Sequence, residues 1–314
     1  MTDISLKTNL AGIELANPVL LASGTAGYGT ELEGLLDFSV LGGIILKSVT
    51  VEPCAGNAEP RIWETTGGML NSIGLENIGV EALIADVLPS LADIGIPLIA
   101  SIAGDTVRAF ARLAARLEST GAVAAVEVNV SCPNVERGGI QFGVDPNATA
   151  VVTTSVRENC TMPVFVKLSA AASDLPGIAD AASRAGASGL SLINTVPGMA
   201  IDPVSRSPRL GNVTGGLSGP AIKPIALKAV YDCFRATGLP ILGGGGIYDA
   251  GDVIEFLLAG ATAVSIGTAT FQDPARATKI IEELPDAVTA AGATKTAELV
   301  GRLRTPRNAS KGKR

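Results

Sequence analysis

Histidine is absent from all 314 residues. Imidazole is the side chain that ordinarily titrates between about pH 5 and 8, so its absence leaves acid–base chemistry near neutrality to Cys, Lys, Tyr or a perturbed carboxylate. Aromatic residues are scarce too, 4% of the chain against 47% hydrophobic residues in all. The core must then be built from Ala, Val, Leu and Ile, which suits short buried strands covered by Ala-rich helices. Cysteine occurs only as Cys54, Cys132, Cys160 and Cys233, with no Cys-x-x-Cys spacing, so neither a disulfide framework nor a metal site is expected. No stretch approaches the roughly 18–20 uninterrupted apolar residues of a membrane span. The opening Met-Thr-Asp-Ile-Ser-Leu-Lys lacks the apolar centre of a secretion signal. A cytoplasmic protein is expected, free of membrane. Basic residues are outnumbered 24 to 30, for a net charge of −6, and this argues against a nucleic-acid partner.

What the chain does have is alternation. Short apolar runs recur at 19–22, 43–47, 97–102, 125–130, 163–168, 189–193, 240–243 and 263–267. Between them lie stretches of helical periodicity. Val107, Phe110, Ala111, Ala114 and Leu117 share one helix face, which Gly121 ends. Ile222, Ile225, Ala226, Ala229 and Val230 make another, and Cys233 extends it as plain core. Eight strands with helices between them predict an α/β fold, a parallel (β/α)8 barrel rather than an open doubly wound sheet. Residues 4–8 and 13–16 alternate around Gly12 and predict a small hairpin closing the bottom of the barrel. One catalytic domain is expected over 1–300, with 301–314 as a basic, disordered tail. The connections 48–77 and 194–219 are too long for plain turns and follow strands, on the face where barrel enzymes carry their active sites.

Polar residues gather at those strand ends. The run Asn129-Val130-Ser131-Cys132-Pro133-Asn134-Val135-Glu136-Arg137 leaves the fourth strand and puts a thiol between two carboxamides. Lys47 ends the second strand, Lys167 lies near the end of the fifth, Asn194 follows the sixth, and Asn71 sits in the loop after the second. Two lysines and the asparagines at 71, 129, 134 and 194 around one thiol suit an anionic, planar, amide-rich ligand, because an asparagine amide presents a donor and an acceptor together. Gly243-Gly244-Gly245-Gly246 follows strand seven and Gly267-Thr268 follows strand eight. Barrels commonly hold phosphate there, on backbone N–H groups that glycine leaves approachable. No G-x-G-x-x-G fingerprint follows a strand, so a mononucleotide cofactor is expected, a flavin being the natural one.

Taken together, Ala22-Ser23-Gly24-Thr25, Lys47-Ser48, Asn71-Ser72-Ile73-Gly74-Leu75, the Asn129 to Asn134 run, Lys167, Asn194-Thr195 and the two glycine segments resemble the class 1 dihydroorotate dehydrogenases. These are soluble FMN enzymes of pyrimidine biosynthesis, and the resemblance covers about residues 4–300. It implies oxidation of dihydroorotate to orotate, with Cys132 taking a proton from C5 while a hydride passes from C6 to FMN. It implies a substrate site of Lys47, Asn71, Ser72, Ile73, Gly74, Leu75, Asn129, Asn134, Asn194 and Thr195. The implied FMN site comprises Ser23, Lys47, Ser48, Ser101, Asn129, Lys167, Ile193, Gly219, Gly245, Gly246, Gly267 and Thr268, and no metal. Ser101 stands where related chains often carry Asn, and Val135-Glu136-Arg137 where they often carry a Lys-His pair. The 22–25 and 71–75 segments are similar to the B subfamily. That subtype implies a homodimer within a hetero-oligomer, whose second subunit carries FAD and a [2Fe–2S] cluster and passes electrons to NAD. The competing readings are a fumarate-using class 1 enzyme, another flavin-dependent pyrimidine dehydrogenase, and a non-catalytic barrel that binds a phosphorylated ligand.

Overall fold

A computed structural model of the chain describes residues 4–130 and 142–306. Two short strands, β1 (Thr8–Leu10) and β2 (Ile13–Leu15), pair antiparallel around Ala11 and Gly12, both at positive φ. The first arm begins at Thr8, later than the alternation predicts. Ser5 instead bridges to Lys295 near the other end of the described chain. There follow β3 (Val19–Leu21), β4 (Gly43–Val49), β5 (Ile62–Thr65), β6 (Gly68–Asn71), β7 (Leu98–Ile102) and β8 (Ala125–Asn129). Then come β9 (Val164–Leu168), β10 (Gly189–Leu192), β11 (Val196–Met199), β12 (Ile201–Asp202), β13 (Ser207–Pro208), β14 (Thr214–Ser218), β15 (Ile241–Gly244) and β16 (Ala263–Ile266).

Eight of these close a parallel barrel in the order β10-β15-β16-β3-β4-β7-β8-β9. They are the eight runs read from the sequence, so the predicted fold class stands. Side chains alternate along each strand and sort into two cores. The outward set, among them Ala100, Ile102, Val126, Val128, Val166 and Leu168, packs under helices such as Val107–Glu118 and Lys223–Thr237. The inward set begins with Leu20, Ile45, Ile99, Ala125, Phe165, Leu242 and Ala263. Leu10, Ile13 and Leu15 of the hairpin join that cluster and floor the barrel. Above the floor the inward positions turn polar, at Ser101, Glu127 and Ser191 among others.

Strand β4 differs from expectation, since it runs past Lys47 to Val49 with a register shift between Leu46 and Val49. Lys47 N–H leaves the ladder to donate to Gly27 O at 2.8 Å. Such a bulge adds a residue and re-aims the side chains after it. The two long connections also carry more order than a loop. They meet at the C-terminal face in one antiparallel sheet, β11-β14-β6-β5, where Gly216, Leu217 and Ser218 pair with Asn71, Leu70 and Met69. No helix among the described residues is long and apolar enough to cross a membrane. Gly301 and Leu303 donate backbone hydrogen bonds to Leu257 and Leu258 at 2.9 and 3.2 Å. The rest of the expected tail, 307–314, lies outside the described residues.

Candidate active site

One step above the apolar floor, the inward positions of four neighbouring strands are Ser101, Glu127, Lys167 and Ser191, wholly buried except for a 15% exposed Lys167 and a 4% exposed Ser191. Glu127 is their centre. Its Oε1 accepts from Lys167 Nζ at 3.1 Å and from Ser101 Oγ at 3.0 Å, and its Oε2 accepts from Ser191 Oγ at 2.7 Å. Lys167 Nζ also reaches Ser23 Oγ at 3.4 Å, at the start of the helical turn Ser23–Ala26. Ser101 has one hydroxyl hydrogen, and the carboxylate takes it. Ser48 must therefore donate in the 2.7 Å bond it shares with Ser101, and Asn129 Nδ2 donates to Ser48 at 3.4 Å. The bulge in β4 is what turns Ser48 inward here. A directed chain thus runs from the mouth at Asn129 through Ser48 and Ser101 to the buried charge.

The sheet formed by the two long connections sets the opposite side. Asn71 on β6 donates through Nδ2 to Gly216 O on β14 at 3.2 Å. A Cβ on Gly216 would lie 2.6 Å from Thr195 Cβ, so Thr195 packs against this glycine. Thr195 N–H in turn donates to Asn194 Oδ1 at 2.8 Å. Residues 72–75 are held from below. Asn57 Nδ2 donates to the carbonyl and hydroxyl oxygens of Ser72, both at 3.1 Å, and Asn57 N–H donates to Ile73 O at 2.9 Å. Leu75 adopts φ 56° after Gly74 at 77°, and Asn77 Nδ2 fixes that turn by donating to Leu75 O at 2.7 Å. The structure thus gathers Ser23, Ser48, Ser101, Asn129 and Lys167 into one network, and Asn71, Asn194 and Thr195 into another. Lys47 stands partly buried at the bulge. Cys132 and Asn134 lie outside the described residues.

The glycines after the last strands form a third group. A Cβ on Gly246, at φ +85°, would lie 2.8 Å from Lys223 N and 3.0 Å from Gly219 O. Gly219, at φ +93°, has room only for hydrogen against Gly68 Cα at 2.7 Å. Gly245, also at positive φ, packs beneath Ile193, which follows β10 through a cis peptide bond. Gly267 stands open, its nearest neighbours being Ala22 and Thr25 at 3.7 and 3.9 Å. Thr268 Oγ1 donates to Ser218 Oγ at 2.8 Å and ties the two rims together. Nearby, the hydrogen bonds that the Lys223 ammonium donates to Asp252 and Glu255 hold it above the usual lysine range. Gly219, Gly245 and Gly246 thus let these segments pack closely on one another, and Gly267 leaves open space beside its backbone, with room for a phosphate to approach.

Comparison with known proteins gives the chain's family. A family described as Dihydroorotate dehydrogenase matches residues 5–288. The chain belongs to the dihydroorotate dehydrogenase family. It is 51% identical over 292 residues to the dihydroorotate dehydrogenase B (NAD(+)) catalytic subunit of Desulforudis audaxviator, covering 93% of this chain and 95% of that one. It is 49% identical over 304 residues to the protein of the same name from Geotalea daltonii, covering 97% and 100%. The corresponding protein of Halalkalibacterium halodurans is 48% identical over 296 residues, covering 94% and 97%.

Sequence reasoning missed Glu127, Ser191, Asn57, Asn77 and Ser218. The first two had a readable signal, since each is a polar residue flanked by apolar ones in a buried run, Val126-Glu127-Val128 and Leu190-Ser191-Leu192. Asn57 and Asn77 brace the 72–75 turn from within the same long connection, and only Ser218 finds its partners, Met69 and Thr268, far off in the chain.

Proposed function

We propose that this chain oxidises dihydroorotate to orotate in pyrimidine biosynthesis, with FMN as its resident cofactor. The observation that carries the reading is the near-complete coverage of relatives named as catalytic subunits of dihydroorotate dehydrogenase B, at 51% and 49% identity. When bound, the flavin would supply the acceptor for the two electrons that leave the substrate as hydride from C6. Gly219, Gly245, Gly246, Gly267 and Thr268 would hold its phosphate, while Ser23, Ser48, Ser101, Ile193 and Lys167 would line its ring and side chain.

The chain's own residues do the rest. Cys132, as thiolate, takes the proton from C5. Asn71, Asn129, Asn134 and Asn194 present amide donors and acceptors to the pyrimidine, with Thr195 and residues 72–75 beside it. Asn129 is oriented by the chain of donors ending on Glu127. Lys47 adds positive charge near a carboxylated substrate. The electrons have no onward path on this chain, because a [2Fe–2S] cluster needs four clustered cysteines and the four here are widely spaced. We therefore assign it the role of catalytic subunit, a cytoplasmic homodimer joined to a partner that carries FAD and [2Fe–2S] and delivers electrons to NAD.

Cys132 supplies the test. Cys132→Ser should bind FMN and orotate as the parent does, yet reduce the flavin on the order of 10²-fold or more slowly, the usual contribution of a positioned base. In the parent, flavin reduction by dihydroorotate should rise with pH as the thiol ionises, a free thiol having a pKa of about 8.5. Flavin reduction at the parental rate in Cys132→Ala would remove the thiol from the reaction.

A further inference from the structure

Glu127 touches neither substrate nor flavin in the chemistry just described, yet the interior polar network of Lys167, Ser101 and Ser191 is built on it. Three donors converge on its carboxylate, from Lys167, Ser101 and Ser191, at 2.7–3.1 Å. It is fully buried, whereas Lys167 stands one layer nearer the mouth and is partly exposed. A buried ion pair is a weak source of stability, since well-packed apolar side chains of similar volume often do as well. Its value here lies in placement. The negative charge sits behind the ammonium, on the side away from the mouth, and it fixes the direction of every hydroxyl between itself and Asn129.

We propose that Glu127 is a positioning residue that holds Lys167 at the inner edge of the flavin site and sets how far the site favours reduced flavin. The inference rests on the FMN reading above. Hydride transfer brings two electrons and one proton to the ring and leaves it with one net negative charge. Lys167 favours that charge and Glu127, behind it, opposes it. The pair thus sets the reduction potential between two limits, a bare cation and no charge at all. It leaves the flavin reducible by substrate and still able to pass its electrons on.

The test is the two-electron midpoint potential of the FMN-loaded protein, measured alongside its flavin content. Glu127→Gln keeps the shape, and the Ser101 and Ser191 hydroxyls can turn to meet the amide. Its potential should move positive by at least a tenfold change in the equilibrium between oxidised and reduced flavin, about 30 mV for two electrons. A flavin-loaded Glu127→Gln with an unmoved potential overturns the proposal and leaves the FMN reading intact. Parental protein without flavin contradicts the FMN reading itself and removes the proposal with it. If Glu127→Gln loses flavin, the comparison passes to Lys167→Met and the double variant Lys167→Met/Glu127→Leu. The single variant, with its carboxylate unopposed, should have the more negative potential, and equal potentials would overturn the assignment.

Discussion

The described cysteines show how one residue type divides by environment. Cys54 is partly exposed, while Cys160 and Cys233 are buried. Burial raises the thiol of Cys160, and it pushes Cys233 up to about 12. The sign follows by linkage. Folded protein holds the Cys233 proton more tightly than unfolded protein, so this contribution to stability is complete below the ordinary thiol value of about 8.5 and is lost as pH rises toward about 12. Urea unfolding of the parent should therefore show a steeper alkaline loss of stability than Cys233→Ala, whatever the offset between the two at neutral pH. Parallel curves over that window would show that the thiol does not titrate differently on folding. The helical stripe made Cys233 legible as core, although its neighbour Ile225 is 43% exposed. Glu127 was not legible in the same way. Inside a strand buried on both faces, alternation says which residues share a side but not which side faces the barrel axis. That becomes known only when the strands close and Lys167, Ser101 and Ser191 converge on one carboxylate.

At the scale of elements, local pattern and non-local pairing part company. All eight barrel strands were readable, because each is a short apolar run between helical stretches. The sheet joining β6 to β14 was not. It pairs segments far apart in the chain, and β14 begins Thr214-Gly215-Gly216, with little β propensity. Its glycines are required by what they face rather than by turn geometry. Gly216→Val would drive a side chain into Thr195 and force β14 from Asn71. A small misplacement of substrate-positioning groups can cost on the order of 10²-fold. Gly216→Val should thus lower kcat/KM for dihydroorotate with a dye acceptor by roughly tenfold to 10²-fold, compared per bound flavin because Ser218 of the same strand bonds Thr268 at the proposed phosphate site. Parental kcat/KM in this variant would show that the sheet does not position substrate.

For the whole molecule, the barrel explains how residues from 23 to 268 reach one mouth. The strands deliver their polar positions to the same end of the barrel, and the long connections fold over them. The candidate site was legible to the extent that its residues stand at strand ends. Its support was not, because that support lies in pairings across the barrel and between the two long connections. On the function proposed above, this chain by itself carries the complete dihydroorotate half-reaction on a bound flavin. The most direct measurement is an anaerobic titration of the purified chain with dihydroorotate, following the visible absorption of the bound flavin. Stoichiometric bleaching, with orotate as product, is expected. A flavin band that stays unchanged by excess dihydroorotate would contradict it.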